Sequence, residues 1–154
     1  MSKANELEIP VAVTRDDPEL AARLRMAVTR LARRLRQEGQ TGLTPSQTAA
    51  LTTVERHGPL TPSEFAAVEG VRRPTATRAL ASLEAARLIV REPDPADGRS
   101  QRVRVSQSGA RLLGRMRTRR TAFLARRLHR LDAEEAATLA RAAELLERLL
   151  EERQ

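Results

Sequence analysis

Three helix-start signals crowd into residues 44–74 and constrain this chain more than any other feature. Thr44-Pro45-Ser46-Gln47 sets an N-cap hydroxyl, a proline at the first helical position and a glutamine three residues after the cap. The helix it opens carries Ala50, Leu51 and Val54 and should stop at His57-Gly58-Pro59. Thr61-Pro62-Ser63-Glu64 repeats the signal and opens a short helix through Phe65, Ala66 and Val68, closed by Gly70. The two starts lie 17 residues apart and share capping grammar, not an internal repeat. Arg72-Arg73-Pro74 then begins a third helix, in which Ala76, Ala79, Leu80 and Leu83 recur at i, i+3, i+4 and i+7. That narrow core stripe leaves Thr75, Arg78 and Ser82 on a face free for other work.

A hairpin follows. Leu88–Glu92 reads as one strand, and Arg102-Val103-Arg104-Val105 alternates strictly as another. The nine residues between them, Pro93 to Gln101, hold two prolines and Asp97-Gly98. Hairpin loops usually run to about 2–5 residues, so a connection of this length suggests a working tip. On the N-terminal side, residues 1–17 with Pro10 read as a flexible arm. Leu20, Leu24, Val28, Leu31 and Leu35 mark one face of a helix from Pro18 to near Gly39. After the hairpin, Ser106 caps an arginine-rich helix through Leu112, Leu113, Met116, Phe123, Leu124 and Leu128. Asp132-Ala133-Glu134-Glu135 opens a last helix with Leu139, Leu145, Leu146, Leu149 and Leu150. The expected fold is mainly α with a small β-hairpin wing: a winged helix-turn-helix at 41–106. Segments 18–40 and 107–154 form a helical dimerisation region, because their leucine faces lack a second layer within one small chain and a two-fold copy would bury them.

Composition narrows the function. The 154 residues contain 28 Lys+Arg, 20 Asp+Glu, no cysteine, two histidines (His57 and His129) and two aromatics (Phe65 and Phe123). Disulfides, thiolate metal sites and thiol redox sensing are excluded. Histidine-based catalysis and zinc have little material, and nothing resembles a phosphate loop or a nucleophile with its base, so no enzyme and no cofactor is expected. No apolar run approaches the roughly 18 residues of a membrane span, and no signal peptide opens the chain, which implies no membrane and a cytoplasmic location. The basic excess is 27 arginines and Lys3 alone, a bias that a GC-rich genome can produce by itself. Its placement says more. Net charge moves from −2 over 41–71 to +4 over 72–104, reaches +8 over 107–130 and falls to −4 over 132–154.

In a helix-turn-helix the second helix enters the major groove while the first crosses the backbone. Arg72 and Arg73 precede that second helix, and Thr75 and Arg78 project from it. Arginine can bond guanine O6 and N7 together, and the Thr75 methyl can meet a thymine. Thr61 and Ser63 offer hydroxyls and free N–H groups to a phosphate. An ordinary αα corner would show the same two helices; the wing and the charge step at Val71/Arg72 favour double-stranded DNA as the partner.

Asp94-Pro95-Ala96-Asp97-Gly98-Arg99-Ser100, the strand to Val105-Ser106 and Ser108-Gly109 resemble the wing motif, D-x-R, of MarR-type regulators. The resemblance extends through Thr44–Gln47 and Arg73-Pro74-Thr75-Ala76-Thr77-Arg78 to Leu83-Glu84 and Leu88-Ile89, and spans roughly residues 18–151. Ser106-Gln107-Ser108 departs from the family's usual Leu-Thr, although Ser106 can still cap. The resemblance implies a homodimeric regulator on a palindromic operator, most simply a repressor, released by a small aromatic ligand. It adds Pro74 and Thr77 to the DNA-facing set. It further implies that Arg99 reaches the minor groove and that Asp97 pairs with and orients it. A sequence-tolerant architectural DNA-binding protein without ligand response is the alternative left open.

Overall fold

A computed structural model describes residues 17–151. Its elements are α1 (Pro18–Glu38), α2 (Pro45–His57), α3 (Pro62–Glu69), α4 (Arg73–Ala85), β1 (Ile89–Pro93), β2 (Gln101–Val105), α5 (Gln107–Leu128) and α6 (Ala133–Glu151). This is the mainly α winged helix-turn-helix architecture expected. Residues 1–16 of the proposed arm lie outside the described residues. The chain divides into two compact units, residues 1–34 and 35–154.

In the first unit the Asp17 carboxylate accepts the N–H groups of Glu19 (2.9 Å) and Leu20 (3.1 Å) and so caps α1. Leu20, Leu24, Val28 and Leu31 form an apolar stripe that stays exposed.

The second unit holds the core. Leu51 and Val54 of α2, Phe65 of α3, Leu80 and Leu83 of α4, Ile89 of β1 and Val103 of β2 are almost wholly buried, and Leu113 and Met116 of α5 close the cluster. Both T-P-S-[QE] signals form the reciprocal capping boxes their spacing requires: Gln47 N–H to Thr44 Oγ1 at 3.2 Å, and Glu64 N–H to Thr61 Oγ1 at 3.2 Å. Gly70 ends α3 in the left-handed region, φ 63°, where a side chain would be strained. Ser106 caps α5 through the Gly109 N–H at 3.0 Å. Asp132 and Glu135 exchange N–H bonds of 3.0 and 2.8 Å at the start of α6.

The hairpin runs antiparallel from Ile89↔Val105 to Pro93↔Gln101. The strands therefore take in Pro93 and Gln101, and the wing connection is residues 94–100, two residues shorter than the sequence suggests. Proline is tolerated there because the missing N–H falls at the open end of the ladder. Leu60, between α2 and α3, adds an isolated antiparallel bridge on the other edge of β2: it bonds Val103 in both directions, at 3.1 and 2.8 Å. Ser82 also departs from expectation. Its hydroxyl accepts the Gln47 amide at 2.6 Å, so that end of the α4 face packs on α2. Leu139, Leu145, Leu149 and Leu150 of α6 remain exposed. Among the described residues no helix is long and apolar enough to cross a membrane.

Candidate nucleic-acid interface

Residues from three separate chain segments meet at one cleft. Thr61, Pro62 and Ser63 from the start of α3, Arg73 and Thr77 from α4, and Arg99, Ser100 and Gln101 from the wing line an open space of about 440 Å³. Five sequence-expected residues thus come together: Thr61, Ser63, Arg73, Thr77 and Arg99. Arg72, Pro74, Thr75 and Arg78 are exposed on the first turns of α4, outside that lining. Arg72 is the N-cap of α4 and makes no side-chain cap bond, while Arg73 is already helical.

The α3 end is more committed than the sequence implies. Glu64 Oε2 accepts the Thr61 N–H at 2.7 Å and the Thr61 hydroxyl at 3.1 Å. Those bonds, first the backbone one, hold the Glu64 carboxyl below its usual pKa, and the Arg102 charge lowers it further. Thr61 is therefore occupied by its own cap. The Ser63 backbone N–H, with no protein acceptor among the described residues, remains to meet an anion. The Ser63 hydroxyl receives Arg73 Nε–H at 3.1 Å and a second guanidinium N–H, bracing the start of α4 against that of α3. The Thr77 hydroxyl donates to the Arg73 carbonyl at 3.0 Å. Thr75 and Arg78 stand exposed three residues apart on one side of α4, a placement that suits base edges.

In the wing, the Asp97 carboxylate accepts the Arg99 backbone N–H at 3.0 Å. The sequence reading had it contact the guanidinium; two residues of separation favour the Asx turn, which closes on the backbone instead. Asp97 thereby shapes the tip that carries Arg99, and among the described residues the Arg99 guanidinium makes no ion pair. The most buried ion pair of the hairpin among the described residues was not legible in the sequence: Arg102 Nε–H donates to Asp94 Oδ2 at 2.9 Å, while Arg104 pairs with Glu92 on the exposed strands. Asp94 is only 7% exposed. The Ala96 N–H is the main cause holding its carboxyl below the ordinary carboxylate range, with Arg102 adding to it. A usable signal existed, since Arg102 and Arg104 alternate with buried Val103, but which acid each meets depends on strand register. Among the described residues no group of three or more His, Cys, Asp or Glu side chains could hold a metal ion.

The profile of the MarR family matches residues 41–100, a span that takes in α2, α3, α4, β1 and the wing connection. An HTH-type transcriptional regulator of Mycobacterium leprae is 43% identical over 137 residues, covering 88% of this chain and 96% of the relative. A crystal structure described as a transcriptional regulator of Pseudomonas aeruginosa is 42% identical, with TM-score 0.80, covering 91% of this chain and 99% of that one. A mutant of S. aureus MepR bound to an oligodeoxyribonucleotide shares the fold at TM-score 0.67 and 23% identity, covering 86% of this chain and 99% of that chain. With its winged helix-turn-helix, its wing motif and relatives similar over nearly their full length, this chain belongs to the MarR family of HTH-type transcriptional regulators.

Proposed function

We propose that this protein is a sequence-specific regulator that binds a palindromic double-stranded DNA operator as a homodimer and represses transcription. The observation that carries the reading is the cleft that joins the α3 N-terminus, the basic start of α4 and Arg99 of the wing. Ser63 N–H positions a phosphate, Arg72 and Arg73 add positive charge beside it, Thr75 and Arg78 read the major groove, and Arg99 enters the minor groove. Exposed leucines on α1 and α6 support the dimer, since a second copy is what would remove such faces from water.

Release by a small aromatic acid completes the reading. A pocket of about 230 Å³ between α2 and α5, lined in part by Thr52, Leu113, Met116 and Arg120, supports it. Arg120 brings a guanidinium to this lining, a group suited to a carboxylate; its Nε is buried beside Gly39 with no hydrogen-bond partner among the described residues. The test is selection of duplexes from a random pool by full-length protein, then footprinting with and without a panel of aromatic acids. Two equivalent half-sites about 10 base pairs apart support the reading. Uniform coating of every duplex would instead favour the sequence-tolerant architectural role.

A further inference from the structure

We propose that Arg102 is a positioning residue for DNA recognition, one that fixes the wing tip relative to the start of α3; this rests on the DNA-binding reading above. Its guanidinium reaches three separate segments. Nε–H donates to Asp94 Oδ2 in the wing at 2.9 Å, Nη1–H donates to the Pro59 carbonyl before α3 at 3.1 Å, and Nη1 lies 3.5 Å from Glu64 Oε2 in the first turn of α3. The planar fork of arginine presents these donors at fixed angles, which a lysine ammonium cannot reproduce.

Each anchor is itself held. Asp94 Oδ1 accepts the Ala96 N–H at 2.9 Å while Oδ2 takes Arg102, so one carboxylate both folds the wing entry and ties it down. The Asp94 N–H bonds the Ser100 carbonyl at 2.9 Å and closes the loop that carries Arg99. Glu64 Oε2 is the acceptor of the Thr61 cap. A carboxylate at the anion-facing end of α3 would repel a phosphate, and Arg102 sits where it offsets that charge. The Arg102 side chain is 29% exposed, and its Nε–H and Nη1–H are already taken inside the protein. In the proposed role its effect on DNA passes through the spacing of Arg99 and Ser63. Arg99 and the Ser63 N–H would contact different parts of a duplex, so an error in their separation weakens both.

The experiment measures binding of full-length wild type, Arg102→Lys, Asp94→Ala and the double variant to a duplex selected from a random pool, with circular dichroism reporting the folded fraction at assay temperature. Arg102→Lys and Asp94→Ala should each lower affinity about tenfold, and the double variant about tenfold as well, because the two residues act as one unit. Arg99→Ala should also cost less in the Arg102→Lys background than in wild type. Wild-type affinity in Arg102→Lys would overturn the proposal, since charge alone would then suffice. So would a double loss near the product of the singles, about a hundredfold, which marks Arg102 as an independent phosphate contact. A loss that matches only the unfolded fraction would also overturn it. Arg78→Ala is the control: wild-type binding there beside a tenfold loss in Arg102→Lys would place the error in the α4 reading and leave the role of Arg102 standing.

Discussion

Gly109 and Gly114 lie in the same helix, and the structure assigns them opposite responses to the same substitution. A Cβ on Gly109 would sit 2.2 Å from the Leu88 carbonyl oxygen and 2.9 Å from Val105 Cγ1. The first turn of α5 rests directly on the base of the wing, where Leu88 O also accepts the Ser106 N–H at 2.9 Å. Backbone cannot step aside as a flexible side chain can, so the cost belongs near the top of the overpacking range, about 3 kcal/mol. Replacing glycine within a helix returns about 1 kcal/mol. Gly109→Ala should therefore destabilise by about 2 kcal/mol, a fall in Tm of roughly 4–8 °C for a chain of this size. At Gly114 a Cβ would meet nothing within 4 Å. Gly114→Ala should therefore raise stability by up to about 1 kcal/mol. Thermal melts by circular dichroism at one fixed protein concentration read both. Equal shifts of the same sign would refute the proposed seat of α5 on the wing base.

Arg78→Ala should weaken operator binding by about 1–3 kcal/mol and relax preference at one position per half-site, read by competition among single-base operator variants; equal weakening on random duplex would make Arg78 a phosphate contact. The wing should loosen in acid. Asp94 has a depressed carboxyl pKa in the fold, so its stabilisation is complete above its ordinary value of 3.8 and fades as pH falls through the lower folded value. The protection factor of the Ala96 N–H, referenced to its intrinsic exchange rate at each pH, should fall over that window in wild type, and Asp94→Asn should abolish that fall. Leu145→Glu with Leu149→Glu, two exposed positions of α6, should halve the sedimenting mass of the proposed dimer at micromolar concentration, and an unchanged mass would refute a dimer seam on this face.

What could be read from the sequence was local. Thr44, Thr61, Ser106 and Asp132 cap where they should, because a cap and its partner lie three residues apart and the bond is dictated by that spacing. Gly70 is similar, since a left-handed helix end selects glycine. Arg87 shows the limit: it closes α4 at φ 57° without the glycine or asparagine that would have announced the turn. Pairings across longer separations were not legible. Leu60 bridges to Val103, Gln47 reaches Ser82, and Arg102 chooses Asp94 although Glu92 stands opposite it in the ladder. The gathering of Thr61, Ser63, Arg73, Thr77 and Arg99 was legible as a set, because the order of helices and hairpin brings those segments together. How Asp97 holds Arg99 was not, because backbone and guanidinium both lie within reach of a carboxylate two residues away.

The proposed reading of DNA sequence by the cleft of α3, α4 and the wing depends on Arg99 entering the minor groove. Its most direct test is the affinity of wild type and Arg99→Ala for a selected duplex and for the same duplex with its flanking A·T pairs changed to G·C, at fixed salt. Wild type should prefer the selected duplex over random DNA by at least about 10³-fold, and Arg99→Ala should bind it weakly with an unaltered Tm. The loss should be smaller on the G·C-flanked duplex, where the wider minor groove attracts arginine less. Wild-type affinity in Arg99→Ala, or an equal loss on both duplexes, would overturn the assignment of Arg99 to the minor groove.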